Sequence, residues 1–483
     1  MNKDHKLIIT EVSSLSAIRI AAQSGTDEES RGQIALVIEN NRLTEVALED
    51  HHSYLDGIYL GKVQNVLPDI RAYFVEIDKG VLCFLRFSEV EAGTPILVNR
   101  SYDDRLVVGD EVVVQVTADP IKTKQMTVTT NISMKGRFLV LSMGKPQLGI
   151  SSKIPKKYRN FLKKGLQEIG IIEENGQTRP IAGFAPTIGC IVRTQVLSQL
   201  SVSDTESMTL SQQSASDTES MVLLHQSASD TESMVLSHQS ASDTDSLEHP
   251  IFASIAAEYQ CLKDKMIQLV QNARHRTCYT CLQAPPAYYE TVIAGLSKSE
   301  QWEIVTDLPT VYTKLEQYLK SYPDEPLTIR QYQDDILPLA KLYSVESKLK
   351  EALTKRVWLK SGAYLVIEQT EAMVVIDVNT GKALQKHHHT KPTHDAFYFY
   401  QINLEAAKEV AIQLRLRNLS GIIIIDFINM ENEELDNKLL LTLKQLVISD
   451  PTKTEVVDIT SLGLVEITRK RKGRPLNELL IIR

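Results

Sequence analysis

Two stretches decide the fold: Ala372-Met373-Val374-Val375-Ile376-Asp377-Val378-Asn379 and Gly421-Ile422-Ile423-Ile424-Ile425-Asp426-Phe427. Each is a short apolar run rich in β-branched residues with an acid at its end, and each reads as a strand buried on both faces, as in parallel sheets. A helix is expected between them, from Leu404 to Leu419, with an apolar stripe at Leu404, Ala407, Ala411 and Leu414. Glu405 opens that helix and Arg415 and Arg417 close it, which suits its dipole. The resulting β-loop-α-β unit has a right-handed crossover and parallel strands, so both acids fall at carboxyl ends, where open α/β sheets bind ligands. Neighbouring strand tips lie about 5 Å apart. Two carboxylates that close repel, and a hard cation such as Mg²⁺ resolves the repulsion. Asn379, two residues past Asp377, points to the same side and offers a hydrogen bond without charge. The bland alternative is two acids that merely end strands.

Composition sets the frame. With 483 residues the chain holds two or more domains, and 43% hydrophobic with 24% charged residues is the content of a soluble globular protein. No apolar run reaches membrane-span length, and the N-terminus carries no secretory hydrophobic region, so a cytoplasmic enzyme is expected. Five scattered cysteines do not make a disulfide framework. A net charge of −8 argues against a protein coated in positive charge for bulk nucleic-acid binding, and leaves local basic patches open.

In chain order, residues 7–50 read as a strand meander, including Leu7-Ile8-Ile9, Ala17–Ile20 and a hairpin turning at Asn40-Asn41-Arg42. Residues 57–130 hold five short strands that suit a small OB-type barrel. Phe74 and Phe84 sit on one hairpin with Lys62 and Lys124 near, and read equally as a base-stacking pair or as core. Residues 131–200 are less regular, with strands at 138–141 and 190–192 and a helix from Tyr158 to Gly170. Residues 201–249 repeat a thirteen-residue Ser-rich acidic unit (SASDTESMVLLHQ and its variants) and read as a disordered insertion. The single CxxC at Cys278 and Cys281 lacks the second pair that a zinc site needs. Residues 289–360 alternate strand and helix, with helices at Val311–Tyr322 and Ile336–Arg356, and join the N-terminal meander in one sheet. His387, His388, His389 and His394 read as an exposed loop. The run Arg469-Lys470-Arg471-Lys472-Gly473-Arg474 reads as a basic patch close to the acid-tipped sheet, the best local candidate for phosphate contact.

At this point the chain resembles the bacterial RNase E/G endoribonucleases. The resemblance rests on IDVNTG around Asp377, INLEAAKEVAIQLRLRNLSGIIIIDFINM from Ile402 and LGLVEITRKR near the end. GIYLGKVQNVLPDIRAYFVEID from Gly57, TTNISMKGRFLVL around Gly136 and IVRT at Arg193 match in kind and order. It implies a mixed α/β and β fold of several subdomains: an RNase H-like part over 1–56 and 289–354, an OB-type RNA-binding barrel over 57–130, a 5′-sensor region over 131–288 containing the insertion, and a DNase-I-like catalytic subdomain over 355–483. The implied activity is metal-dependent cleavage of single-stranded A/U-rich RNA, favouring 5′-monophosphorylated ends and leaving 5′-phosphate and 3′-hydroxyl, in rRNA processing and mRNA decay.

Carried over by position, Asp377 and Asp426 hold Mg²⁺ (Mn²⁺ is also possible) and Asn379 contacts the scissile phosphate. Arg193 and Thr194 grip the 5′-monophosphate, Gly136 and Val140 shape that pocket, and Lys453 supports it. Lys62, Phe74, Phe84 and Lys124 match RNA-contacting positions of the barrel. The chain also departs from the family. It has no Cys after Cys281, so zinc is not supported and any homo-oligomer is not zinc-linked. Asn429 stands where many relatives carry a second acid, Gln125 stands where a Gly is usual, and loop 385–400 is less regular. The leading expectation is an active endoribonuclease. A catalytically weak RNA-binding protein acting in ribosome assembly is the alternative. A phosphatase for small substrates is the third, disfavoured because a small substrate needs no stacking platform.

Overall fold

The computed structural model describes residues 5–12, 18–20, 32–49, 53–93, 95–120, 125–144, 146–151, 153–181, 186–197, 200, 249–296, 300–321, 326–383, 395–448 and 450–482. The repeat through residue 248, Lys124 and the four histidines of the 384–394 segment lie outside them.

The fold is mixed α/β and β, built from separate sheets. His5–Val12 pairs antiparallel with Gly32–Glu39, which pairs with Arg42–Leu48. On its other side His5–Val12 runs parallel to Trp302–Thr306, and that strand parallel to Leu327–Gln331. The N-terminal meander and the 302–331 segment therefore form one five-stranded sheet, as their patterning predicts. Two details differ. Ile18–Ile20 leaves the meander and pairs with Leu480–Ile482. The helix expected over 336–356 is two short helices, Leu339–Leu342 and Val345–Leu353, broken where Ser344 takes a left-handed φ of 50°.

A closed five-strand barrel follows. Ile58–Leu67, Ala72–Asp78, Val81–Arg86, Thr127–Thr129 and Glu111–Ala118 pair in that order, and Ile58–Leu67 meets Glu111–Ala118 to close the ring. Tyr59, Val63, Tyr73, Val75, Cys83 and Leu85 fill it. Ile58 and Leu60 point outward, into a second core shared with the four-stranded sheet of Ser133–Lys135, Leu139–Met143, Leu148–Ile150 and Ile188–Val192 and with helix Pro250–Ala273.

The last sheet carries the two acid-bearing strands. Its order is Arg356–Trp358, Tyr364–Gln369, Met373–Asn379, Gly421–Asp426, Val465–Arg469, Thr454–Ile459. Only the central pair is parallel. The strands are not buried on both faces, as their composition suggests. Val374, Ile376, Val378, Ile423 and Ile425 pack against helices Asp395–Leu416 and Glu433–Ile448, while Ile422 on the opposite face is half exposed. The connecting helix starts at Asp395, earlier than its stripe implies, which places Glu405 mid-helix. Its carboxylate accepts hydrogen bonds from the backbone N–H groups of Lys360 (2.7 Å) and Ser361 (3.3 Å). Among the described residues no helix is long and apolar enough to cross a membrane.

Candidate active site and RNA-contact surfaces

The register of the parallel pair sets Asp377 directly opposite Asp426. Asp426 ends its strand, whereas Asp377 lies two residues inside a strand that runs to Asn379. Period-two alternation puts Asp377, Asn379 and Asp426 on the face away from the helices, part-exposed or exposed. Asn379 Nδ2 donates to Asp377 Oδ2 at 2.7 Å, which fixes the carboxylate's orientation. Among the described residues no set of three or more His, Cys, Asp or Glu converges, so a cation held here would keep water or phosphate as its remaining ligands.

One positioning residue escaped the sequence reading. Asn403 is fully buried in the connecting helix; its Nδ2 donates to Ile428 O (2.7 Å) and its Oδ1 accepts from Ile428 N (3.0 Å). This clamp fixes the chain just past Asp426. A polar residue inside an otherwise apolar helix face was the available clue. Asn429 is turned into a local bond, its Oδ1 accepting from Glu431 N at 2.9 Å.

The basic run does not face the acids. Gly421 pairs with Arg469 and Ile425 with Val465, so the run begins at the opposite end of the Asp426 strand, roughly 15 Å along it. Arg469 is buried on Asp450, with Nε to Oδ2 at 2.7 Å, and is not available to a phosphate. The strand alternates, so its Arg side chain falls on the core face, which composition does not reveal.

On the barrel, Phe74 and Phe84 are direct cross-strand partners, with rings 5.9 Å apart and edge-to-face at 76°. Both lie on the outer wall and are part-exposed, so neither belongs to the barrel core. Sequence alternation was mute because the outer wall is itself apolar where Ile58 and Leu60 are covered. Lys62 shares the outer face and stands opposite Glu76.

The structure brings Gly136 and Arg193 together. An Arg193 guanidinium N–H donates to Gly136 O, and Arg193 N donates to Phe138 O at 2.7 Å. Between them sits a group that sequence did not reveal, Glu258 of the Pro250–Ala273 helix. Its carboxylate accepts from Arg137 N and from Phe138 N (2.7 Å). Burial pushes the Glu258 carboxyl up, against those backbone donors and Arg193. Burial likewise pulls Arg193 below its ordinary range, opposed by Glu258. A Cβ on Gly136 would lie 1.9 Å from Glu258 Oε1, so glycine is required there by the carboxylate. Thr194 begins the next turn, and Val140 stands opposite the exposed Ile191. Lys453 immediately precedes the strand Thr454–Ile459 of the sheet that carries the two acids, with Nζ 3.8 Å from Glu455. Gly136→Ala is expected to displace Glu258, strand two backbone donors and lower stability by about 1–3 kcal/mol in denaturant titration. Adding Glu258→Ala to that variant should cost little more; fully additive losses would show that the two residues act independently.

A mixed α/β protein that joins a five-strand barrel with paired outer phenylalanines to a sheet with an aligned acid pair is the class defined here. A family model described as the Ribonuclease E/G family matches residues 248–472. Ribonuclease G of Escherichia coli (strain K12) is 30% identical over 454 residues, spanning 92% of this chain and 78% of the relative. Ribonuclease G of Haemophilus influenzae is 31% identical over 465 residues, spanning 94% and 80%. Ribonuclease E of Synechocystis sp. is 28% identical over 460 residues, spanning 92% of this chain and 56% of the relative. The chain belongs to the ribonuclease E/G family.

Proposed function

We propose that the protein is an endoribonuclease that cuts single-stranded, A/U-rich RNA internally, at Asp377 and Asp426, in rRNA processing and mRNA decay. The observation that carries this reading is the cross-strand pairing of the two acids on the open face of their sheet, beside Asn379, in a chain of this family. The donor set suits a hard divalent cation, Mg²⁺ or Mn²⁺: two carboxylate ligands on rigid strands and an amide that orients one of them. Such an ion supplies charge for the phosphoryl oxygen and a water of lowered pKa. Asn379, with its second amide N–H, suits a non-bridging oxygen of the scissile phosphate. The expected products carry 5′-phosphate and 3′-hydroxyl ends.

The barrel's outer wall supports a role in holding the single strand, with Phe74 and Phe84 stacking bases and Lys62 and Lys124 meeting phosphates. Phe74→Ala and Phe84→Ala should each weaken binding of a fluorescent A/U-rich oligomer by about 1–3 kcal/mol without loss of fold. Unchanged affinity in polarisation titrations would remove them from the RNA path. A preference for 5′-monophosphate falls to Arg193 and Thr194, with Gly136, Val140 and Lys453 around them. In that reading a terminal phosphate competes with Glu258 for the backbone donors at 137–138. The parallel and antiparallel order of the N-terminal sheet supports an RNase H-like subdomain, the closed barrel an OB-type one, and the helix-backed terminal sheet a DNase-I-like one.

The test compares RNA bearing 5′-monophosphate or 5′-triphosphate, with and without Mg²⁺. Internal cleavage that needs the ion, faster for the monophosphate, is the expected result. Binding without cleavage would favour the alternative of an RNA-binding protein in ribosome assembly. A monophosphate preference that survives Arg193→Ala would remove the sensor assignment.

A further inference from the structure

The acid-bearing face continues across two more strands into an aromatic and cationic shelf. Strand register fixes this. Trp358 stands opposite Tyr364, and Tyr364 opposite Asn379. Two residues along, and so on the same face, Arg356 stands opposite Val366, Val366 opposite Asp377, and Asp377 opposite Asp426. Directly opposed residues project to the same face. Arg356, Trp358 and Tyr364 therefore share the open face with the two acids and Asn379, away from the two helices.

The side chains on this shelf are organised. The Trp358 and Tyr364 rings lie 5.1 Å apart at 57°. The Arg356 guanidinium sits 4.5 Å from the Tyr364 ring centre and 5.7 Å from that of Trp358. Trp358 is 55% exposed, whereas the chain's other tryptophan, Trp302, is 2% exposed in the N-terminal core. Trp358 lies on the edge strand, where a large exposed indole adds little to the core. Two strand spacings, about 10 Å, separate it from Asn379. A base on the shelf would thus belong to a nucleotide near the phosphodiester at the acids.

We propose that Trp358, Tyr364 and Arg356 form a stacking shelf for one unpaired base of a single-stranded RNA, with Arg356 meeting the adjoining phosphate and the next phosphodiester presented to Asp377 and Asp426. This rests on the reading of the acid pair as the cleavage centre. A base freed from a duplex offers its π-face to any aromatic platform, so the shelf selects single strands and tolerates sequence. Arg356 balances the negative charge of the acids with a cation aimed at the backbone. Its contact with both rings holds the platform in place without substrate. The three are positioning residues for the phosphodiester, and none touches the reacting atoms.

The experiment uses tryptophan emission and cleavage kinetics together. An A/U-rich oligoribonucleotide added in EDTA should quench the emission of the wild type, and the quenching should vanish in Trp358→Phe. In cleavage assays Trp358→Ala should raise KM on the order of ten-fold with a smaller change in kcat, and Trp358→Tyr should restore most of the loss. An oligomer with an abasic position beside the cut should bring the wild type to the level of Trp358→Ala, and the variant should barely distinguish the two substrates. Wild-type cleavage with unchanged emission on saturating RNA, or an unchanged KM in Trp358→Ala, would overturn the shelf and leave the cleavage reading standing. Quenching in a wild type that does not cleave would overturn the cleavage reading and leave the shelf as an RNA-binding surface.

Discussion

Asp377→Asn and Asp426→Asn are each expected to reduce cleavage by on the order of 10³-fold or more, while the fold survives. The size follows from the proposed role. A metal that polarises the phosphoryl group and supplies the nucleophile lowers the barrier by several kcal/mol, and each 1.4 kcal/mol or so is a factor of ten. The two changes remove one negative charge each from a pair that stands in register on adjacent strands. Neither acid is buried, so the amide replacements leave no charge stranded in the core. Asn at 377 still offers an oxygen to the Asn379 amide, which now donates at 2.7 Å, so local geometry is kept. Cleavage of a labelled single strand across a Mg²⁺ titration measures the effect, with circular dichroism as the fold control. If either variant cuts at more than a tenth of the wild-type rate at saturating ion, the acid pair is not the cleavage centre. The Asn403 clamp gives a useful contrast: Asn403→Ala leaves both carboxylates in place and acts only through the Ile428 backbone.

Much of this site is legible in the sequence, because the deciding residues are close in the chain or repeat a period. Two β-branched runs ending in acids, separated by a helix-length segment, specify a parallel pair, and period two then aligns Asp377 with Asn379. What composition does not specify is the face. Val375, Ile422 and Ile424 are as apolar as their buried neighbours, yet lie on the open side, so the strands read as doubly buried when they are not. Phe74 and Phe84 pose the same problem on the barrel, where part of the outer wall is core. The helix boundary was missed because Phe397-Tyr398-Phe399-Tyr400 carries no stripe. Glu258 was illegible for another reason. It reaches the Gly136 turn from 121 residues away, and no local pattern marks a carboxylate that serves backbone donors. Arg469 read as part of a solvent-facing basic run because charge density says nothing of which residue in an alternating strand turns inward.

Arg469→Met should destabilise the protein by about 3–5 kcal/mol, since it leaves Asp450 charged and buried without its partner. The two side chains are 3% and 4% exposed. Arg469 Nε and Nη2 donate to Asp450 at 2.7 and 3.2 Å, and Nη1 donates to Asn418 Oδ1 at 2.9 Å and Leu419 O at 3.0 Å. Asp450 also accepts from Thr452 N and Thr454 Oγ1, each at 2.8 Å. One guanidinium thus ties together the ends of both covering helices and the strand that pairs with Gly421–Asp426. Its loss loosens the sheet on which both acids stand. Burial raises the Asp450 carboxyl, but the Arg469 hydrogen bonds and charge, with the Thr452 and Thr454 donors, outweigh it and hold the group below the ordinary 3.8. A carboxyl lowered by folding binds fewer protons in the native state than in the unfolded one. Its contribution is therefore complete above the unfolded value and is lost as pH falls through the folded value. Urea titrations at neutral pH and across the acid range read both effects. Arg469→Met should lower the midpoint at neutral pH and flatten the acid loss below about pH 4. Asp450→Leu combined with Arg469→Met should recover part of the stability, because a removed pair costs less than a broken one. Equal stability of Arg469→Met and wild type at neutral pH would mean that solvent reaches Asp450 and that the pair does not hold the sheet.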